Sequence, residues 1–468
     1  MNLYHYIGMA VTVLFAVLLG IISGRNVKTA EAFVLNRGNA GMAVLVGGTT
    51  GAYIGGSATI GTAQLAFTNG FSAIWFTLGG TIGLFILALF FVKPLRNSGK
   101  NTMPEIITAE YGKKVGVTTA VLNSCGNFLG VVAQTISGTV LIMTITSMGR
   151  VPATAAILII MFLYMVFGGV LSAGIVGYAK MLLLFAASIF WFCYLNTRYE
   201  TLVEYWSMPV ALPHGQYFSL VSRGLSTDLG AGFSVILGLM STQAYMQAVI
   251  SGKTAKVTSK SLIISGLIIL ATGIISVYIG MFMRVHYPET PSQMVLPIFI
   301  LREMHPLLGG AMLGLLLISV IGSCASLALG ISALIYNNVL KPARLARGIS
   351  EDSILLTRLI LVVVLILASV VCVGNFGQLI LGWSFLSMAL RGTVIFIPMC
   401  AALFLPGKIP SRFVQIATIC GPVSVVLVKI LSIPGIDGIF VGVVVSLLII
   451  IIGFFSGKYR MQIISKER

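Results

Sequence analysis

Residues 41–67 read GMAVLVGGTTGAYIGGSATIGTAQLAF, and this stretch decides how the rest of the chain is interpreted. It is apolar and long enough to cross a bilayer, yet its centre is crowded by six glycines, namely Gly47, Gly48, Gly51, Gly55, Gly56 and Gly61. Each glycine weakens a helix by about 1 kcal/mol relative to alanine, so we expect the helix to unwind there. The alternative is an unbroken helix whose small residues let a neighbouring helix approach closely.

The composition of the whole chain matches this stretch. Of its 468 residues, 57% are hydrophobic and 9% are charged, and the mean hydropathy is +1.04. A soluble domain carries about 25% charged residues, so the composition excludes a soluble or disordered protein. The 29 Lys and Arg residues against 12 Asp and Glu give a net charge of +17. In a membrane protein such an excess marks cytoplasmic loops rather than a nucleic-acid surface.

Apolar runs of about 18 or more residues, each long enough to span a bilayer as a helix, recur along the chain. The predicted fold class is therefore an all-α polytopic membrane protein with about thirteen transmembrane helices. The predicted spans are residues 4–23, 41–67, 71–92, 115–147, 151–172, 174–195, 229–250, 261–284, 307–338, 354–373, 377–405, 412–432 and 438–456.

The loops between these spans alternate in charge. One side holds 20 Lys and Arg residues, including Arg25, Lys28 and Arg37, and the other side holds five. The positive-inside rule places the first side in the cytoplasm, so the N-terminus is predicted to lie outside and the C-terminus inside. The predicted location is the plasma (inner) membrane. The four remaining cations lie within spans: Lys180, Arg358, Arg391 and Lys429.

The predicted spans lack the residue types that several classes of function require. None of the twelve carboxylates lies inside a predicted span, so a proton relay of buried Asp or Glu has no candidate. The six cysteines lie in apolar segments without a CxxC pair, and the four histidines lie in or beside loops. No transition-metal site is expected from this pattern. The chain is therefore predicted not to be an enzyme and to need no cofactor other than a coupling ion.

A second stretch, at residues 229–252, also has a polar centre around Ser241, Thr242 and Gln243. Breaks at corresponding positions of two halves are typical of transporters built from inverted repeats. One transporter domain, 1–468, is predicted. It divides into a leading helix and cytoplasmic loop (1–40), a first repeat (41–197), an extracellular loop (198–228), a second repeat (229–405), and trailing helices with a cytoplasmic tail (406–468).

Several motifs follow one another along the chain. They are GRNVKTAEAFVLNRG at 24–38, GTAQLAFTNG at 61–70, TMPEIITAEYG at 102–112, FGGVLSAG at 167–174, YMQAVISGKTAKVTSKS at 245–261, ISVIGSCASLALGISALIYNNV at 318–339 and the weaker LFLPGKIP at 403–410. This ordered set resembles the sodium:solute symporter family, whose members carry sugars, proline, pantothenate and sialic acid. The resemblance implies a LeuT-like inverted-repeat fold of five plus five helices and cation-coupled uptake of a small organic solute.

The resemblance also implies a cation site for Na⁺ between the first broken helix and the ninth span. The matching positions are Gly51, Ile54, Ser319, Gly322 and Ser323. Gly322 stands where the family usually has a second serine, so one hydroxyl ligand is lost. The family's Thr-Asp pair reads Val176-Gly177 here, and the glutamine three residues after that Asp reads Lys180.

Lys180 lies about six residues into its span and has two interpretations. Its ammonium group can extend to the cytoplasmic headgroups along the apolar stem of the side chain. Alternatively, it occupies or abuts the cation site, where it would stand in for the sodium ion or carry a proton. A strict sodium dependence of transport without a pH effect would contradict the second interpretation.

Arg391, near the middle of its span, is a candidate anchor for an anionic group of the solute. The alternative is an arginine that bonds helix-end carbonyls or faces the cytoplasmic vestibule. The other candidates for the solute cavity are polar or aromatic residues within spans, each of which could instead serve as an ordinary interhelical hydrogen-bond partner. They are Tyr53, Ser57, Thr59, Gln64, Trp75, Asn127, Gln134, Gln243, Tyr245 and Gln247.

The sequence thus predicts a symporter-type secondary transporter that imports a small anionic or zwitterionic organic solute by alternating access. Its partners would be the solute and membrane lipid, without nucleic acid. Na⁺ coupling is implied by the resemblance. The first alternative is a proton-coupled or sodium-independent carrier in which Lys180 replaces the sodium ion. The second is a membrane sensor built like a transporter.

Overall fold

The computed structural model describes residues 1–24, 40–100, 102–168, 172–199, 214–345, 347–348, 354–375, 377–433 and 435–466. Within these ranges the regular structure is helical, apart from one parallel bridge between Ala40 and Gly252. The loop cations Arg25, Lys28 and Arg37 and part of the predicted 198–228 loop lie outside the described residues, as does the side chain of Val176.

The helices of the first half, in chain order, are α1 Leu3–Gly24, α2 Met42–Tyr53, α3 Thr62–Asn69, α4 Trp75–Ile86, α5 Val92–Asn97, α6 Met103–Tyr111, α7 Lys113–Thr146, α8 Arg150–Gly168 and α9 Ser172–Tyr199. Those of the second half are α10 His214–Tyr217, α11 Leu225–Met240, α12 Gln243–Ser251, α13 Ala255–His286, α14 Val295–Glu303, α15 Pro306–Ile335, α16 Lys341–Leu345, α17 Ile354–Gly374, α18 Ile380–Arg391, α19 Ile397–Phe404, α20 Ser411–Ile430 and α21 Gly438–Lys466. Wider π-helical turns lead into α3, α5, α16 and α19, at Ser57–Gly61, Leu87–Phe91, Tyr336–Leu340 and Gly392–Phe396.

Each predicted span coincides with a helix or a broken helix. Among the described residues, eight helices are long and apolar enough to cross a membrane, and nine if the bent pair α11 and α12 counts as one. The run Ser57–Asn97 joins parts of two predicted spans, and three further apolar stretches lie within α1, α8 and α9 at Leu3–Phe15, Arg150–Met165 and Lys180–Tyr194. The chain therefore forms a polytopic helical membrane protein. The count of thirteen transmembrane helices stays a prediction.

The helices pack into two groups joined through the centre of the protein. Helix α13 contacts α2, α3 and α4, and α4 also contacts α11. In the second group, α7 packs against α8, α15, α17 and α18. Helix α9 joins the groups through α2, and α18 does so through α11. Large apolar side chains such as Leu355, Leu359 and Val363 on α17 are exposed on the outside. In lipid such a surface is expected, because the acyl chains are as apolar as the side chains.

Glycine allows the first helix to lie close against the body of the protein. A Cβ atom on Gly8 would meet the carbonyl oxygen of Leu307 at 2.1 Å, and one on Gly310 would meet that of His5 at 2.0 Å. Helices α1 and α15 therefore approach each other backbone to backbone, as small residues permit in membranes.

Candidate functional site

The first break interrupts the chain between α2 and the π-helical turn that begins at Ser57. The helical ladder ends where Ile54 N–H donates to Thr50 O at 2.7 Å. The next amide, of Gly55, turns to Tyr53 O at 2.9 Å instead of Gly51 O. Buried backbone polar groups must find other partners when a helix ends inside a protein. The carbonyls of Gly51 and Ala52 therefore become available to other groups inside the protein.

Gln134 on α7 forms hydrogen bonds with the residues that follow this break. Its Oε1 atom accepts a hydrogen bond from Gly56 N–H at 2.9 Å, and its Nε2 atom donates to Ser57 Oγ at 3.0 Å. Ser57 Oγ in turn lies 2.7 Å from Ser384 Oγ on α18. One glutamine therefore satisfies the amide that the break releases and connects the unwound segment to both α7 and α18.

Replacing Gln134 with leucine should destabilise the folded protein. The variant leaves the buried Gly56 amide without its partner, and an orphaned buried donor costs about 1–3 kcal/mol. We expect a lower unfolding temperature and weaker solute binding, measured by thermal unfolding of the purified protein with and without solute. Leucine at the exposed Gln378 is the matched control. Equal unfolding temperatures for the two variants would contradict this role of Gln134.

The second break separates α11 from α12, which meet at an angle of 48°. Ser241 Oγ and Thr242 Oγ1 bond back to the carbonyls of Leu237 and Gly238, at 2.8 and 2.6 Å. The chain then restarts as a helix at Gln243. Here a polar Ser-Thr pair terminates the helix, because such side chains compete for the backbone groups of the last turn.

The two breaks enclose a central cavity of about 50 Å³. Its lining comes from both breaks and from α4, α7, α15 and α18, and it contains one charged residue and no carboxylate. The lining residues are Ala52, Tyr53, Ser57, Phe76, Gly130, Gln134, Thr242, Ala244, Tyr245, Ser323, Ser326, Leu327, Ser384, Ser387, Met388 and Arg391.

Arg391 supplies the charge of the cavity and is 2% exposed. Its Nη1 atom donates to Thr242 Oγ1 at 2.8 Å, at the second break. Its Nε atom donates to the Ser387 carbonyl at 3.2 Å, and Nη2 lies 3.0 Å from Met388 Sδ. No carboxylate among the described residues pairs with this guanidinium group. An arginine held in this way retains a charge that a bound anion could neutralise.

Lys180 on α9 reaches the opposite side of the first break. Its Nζ atom donates to Gly51 O at 3.0 Å and lies 3.5 Å from Ile54 O. Ser319 Oγ also donates to Ile54 O, and Ser323 Oγ donates to Ala52 O at 3.4 Å. The positions that were matched to a sodium site are thus brought together around an ammonium group.

An aromatic stack lies beside the cavity and beneath an ion pair. Tyr53 donates a hydrogen bond to the carbonyl of Phe76. The Phe76 ring packs against Phe385, with centroids 5.8 Å apart, and Arg223 lies 5.4 Å from the Phe385 centroid. Arg223 is itself ion-paired with the buried Asp228 at 2.6 Å.

Five of the eleven candidates for the solute cavity line it, namely Tyr53, Ser57, Gln134, Tyr245 and Arg391. Three others are engaged elsewhere. Gln64 Oε1 accepts from Ile380 N–H at 3.0 Å, where it caps the start of α18. Trp75 Nε1 donates to Leu220 O at 2.7 Å, and Gln243 Oε1 accepts from Met103 N–H at 3.4 Å. These three side chains therefore bond backbone groups outside the cavity.

The remaining polar candidates, Thr59, Asn127 and Gln247, also lie outside the lining. Four hydroxyl residues that were not among the candidates do line the cavity, namely Thr242, Ser326, Ser384 and Ser387. Ser384 and Ser387 lie one turn apart on the helix that carries Arg391. A search for small hydroxyl residues at helical spacing from the buried arginine would have found them.

Two broken helices that meet at a central cavity are the arrangement of a secondary transporter with a LeuT-like fold. A family model for the sodium:solute symporter family matches residues 33–406. Because the match covers well over half of the chain, the chain belongs to the sodium:solute symporter family. The uncharacterized symporter YwcA of Bacillus subtilis (strain 168) is 23% identical over 290 residues, 60% of this chain. The match spans 56% of that relative's length.

Solved structures agree on the fold. A Na⁺-coupled sialic acid symporter in a substrate-bound, outward-open state has a TM-score of 0.76 at 16% identity, over 98% of each chain. The nucleobase-cation-symport-1 transporter Mhp1, closed with bromovinylhydantoin bound, has a TM-score of 0.60 at 12% identity and covers 92% of this chain and 96% of its own. A mutant manganese transporter of Eremococcus coleocola has a TM-score of 0.53 at 12% identity over 93% and 97%. At such identities the similarity concerns the fold alone.

Proposed function

We propose that this symporter imports a small organic solute that carries a carboxylate, either as an anion or as a zwitterion. The supporting observation is Arg391, which is buried in the lining of the central cavity without a carboxylate partner among the described residues. A buried charge is costly unless it is paired and hydrogen-bonded. A solute carboxylate would supply the missing countercharge during transport.

The breaks support an anionic solute in a second way. Helix α12 begins at Gln243, and Ala244 and Tyr245 of its first turn line the cavity. The N-terminus of a helix presents unpaired amide groups and a partial positive charge. This terminus adds to the charge of Arg391, so the cavity favours a negative group on the solute.

The volume of the central cavity sets a first limit on the size of the solute. A volume of about 50 Å³ is several times the space one water molecule requires, about 10–15 Å³ on the same measure. We therefore propose a solute with few non-hydrogen atoms, such as a short-chain monocarboxylate or a small amino acid, as the first class to examine.

Paired ligands test this proposal. The unfolding temperature of the purified protein would be measured with acetate, propionate, lactate and glycine, each against its uncharged or cationic amide. We expect the carboxylates to raise the unfolding temperature and the amides to leave it unchanged. Uptake of the radiolabelled carboxylate with the largest shift is then measured in proteoliposomes. Equal shifts for acids and amides would contradict anion recognition.

The same experiment separates transport from sensing. A transporter-like sensor would bind a carboxylate without moving it, so proteoliposomes would take up no label. We propose that the chain is a plasma (inner) membrane importer with its N-terminus outside and its C-terminus cytoplasmic. The charge bias of 20 to 5 between the two sets of loops supports this orientation.

The coupling ion has two candidates. Family membership favours Na⁺. The alternative is a carrier in which Lys180 takes the place of the ion, and the contacts of Lys180 Nζ with Gly51 O and Ile54 O favour it.

A further inference from the structure

The first break presents several oxygen atoms to one small region. The carbonyls of Gly51 and Ile54 face the ammonium group of Lys180, at 3.0 and 3.5 Å. The hydroxyl of Ser319 shares Ile54 O with it, and the hydroxyl of Ser323 bonds the neighbouring carbonyl of Ala52. Carbonyl and hydroxyl oxygens are the ligands of hard cations. The region is built for a cation, and the protein provides one from its own side chain.

Close contact of two helices lets Lys180 reach this region. A Cβ atom on Gly51 would lie 3.0 Å from the Cα of Gly177, and one on Gly177 would lie 2.9 Å from the carbonyl oxygen of Gly47. Any side chain at Gly177 would therefore push α9 away from α2. Lys180 is three residues further on and lies on the same face of α9. The absence of a side chain at Gly177 thus allows the close helix contact that brings Lys180 to the break.

The surroundings favour a positive charge at this point. Helix α2 ends at the break, and the C-terminus of a helix carries a partial negative charge. Lys180 is 6% exposed, and its ammonium group is bonded at the break. The interpretation in which it extends to the headgroups does not fit these contacts.

The position across from Lys180 has room to spare. A Cβ atom on Gly322 would find Lys180 Nζ at 3.9 Å as its nearest neighbour. This is ordinary van der Waals distance, so a serine fits at 322. A hydroxyl there would lie beside the ammonium group, at the position where the family resemblance implies a serine ligand for Na⁺.

We propose that the Lys180 ammonium group is the resident cation of the first break, so that Na⁺ does not bind there and transport proceeds without it. The residues do not fit a sodium ion in addition, because two cations would then share the same carbonyl oxygens in a region of low dielectric. The proposal rests on the proposed transport function. Its test requires no solute, so the two can fail separately.

The test measures sodium binding directly on the full-length protein. Purified wild type and the variants Lys180→Ala, Gly322→Ser and Lys180→Ala with Gly322→Ser are each assayed for binding of radioactive sodium. Thermal unfolding is compared in sodium chloride and choline chloride at equal ionic strength. We expect wild type to bind no sodium above background and to unfold at the same temperature in both salts. We expect the double variant to bind sodium and to be stabilised by about 2 °C or more in sodium chloride.

Matched controls isolate the site. Lys429→Ala removes an exposed lysine, and Gly330→Ser adds a hydroxyl to the same helix as Gly322 at a position with no neighbour within 4 Å. Neither should change sodium binding. Saturable sodium binding by wild type would overturn the proposal, and this measurement does not depend on any variant folding. A folded double variant that remains indifferent to sodium would overturn it as well.

Discussion

Replacing Arg391 with glutamine is expected to abolish solute uptake and to weaken solute binding by about 30-fold or more. Truncating one partner of a buried, hydrogen-bonded charge pair costs about 2–5 kcal/mol, and each 1.4 kcal/mol is about a factor of ten in affinity. Glutamine removes the positive charge but keeps a polar side chain at this position. The measurement is the dissociation constant of the carboxylate that gives the largest thermal shift.

The conservative variant Arg391→Lys separates charge from shape. Lysine retains the positive charge but cannot make the planar two-point contact that a guanidinium group offers a carboxylate. We expect it to recover part of the lost affinity. Arg358→Gln is the control, because Arg358 is exposed on α17 and does not line the cavity. Unchanged solute affinity in Arg391→Gln would rule out the anchor role.

Replacing Gly56 with alanine is expected to disrupt the first break. The new Cβ atom would lie 2.3 Å from Ser137 Cβ and 2.4 Å from Ser137 Oγ, both on α7. Because these atoms belong to a packed helix, the backbone of the break must shift. Overpacking of this kind costs about 1–3 kcal/mol. We expect a lower unfolding temperature and loss of uptake, since the Gln134 contact with the Gly56 amide moves with the backbone.

A matched pair of variants tests the cause. Gly48 lies on α2 of the same broken span, and a Cβ atom there would find nothing within 4 Å. Alanine at Gly48 should therefore be neutral or stabilising by up to about 1 kcal/mol, as expected for alanine in a helix. Adding Ser137→Gly to Gly56→Ala removes the clashing atoms and should restore part of the uptake. Equal unfolding temperatures and equal uptake for Gly56→Ala and Gly48→Ala would show that close packing of the break against α7 is not required.

The two breaks illustrate how far sequence reasoning reaches. Six glycines within residues 41–67 predicted unwinding, and the helix does stop at Tyr53. The second break was indicated by Ser241 and Thr242, which terminate α11. In both cases the prediction succeeded because a helix end depends on the few residues of its own turn.

The lining of the cavity could be predicted only in part. Arg391 was expected because a charged side chain inside a membrane span is energetically costly and usually has a functional role. Gln64 was selected for its polarity beside a break, but it caps α18 instead. Ser384 was overlooked, although it bonds Ser57 across the site. Which face of a helix meets the cavity depends on how that helix is rotated against its neighbours, and polarity alone does not determine that rotation.

The sequence by itself determined the class of protein, the two helix breaks and the family, because each follows from local composition or from the order of motifs. Only the tertiary structure decided where the ammonium group of Lys180 lies. Its ammonium group meets the carbonyl of Gly51, a residue 129 positions away. That contact exists because Gly47, Gly51 and Gly177 let two helix backbones touch, and the distance between helices is a property of packing that no single segment contains.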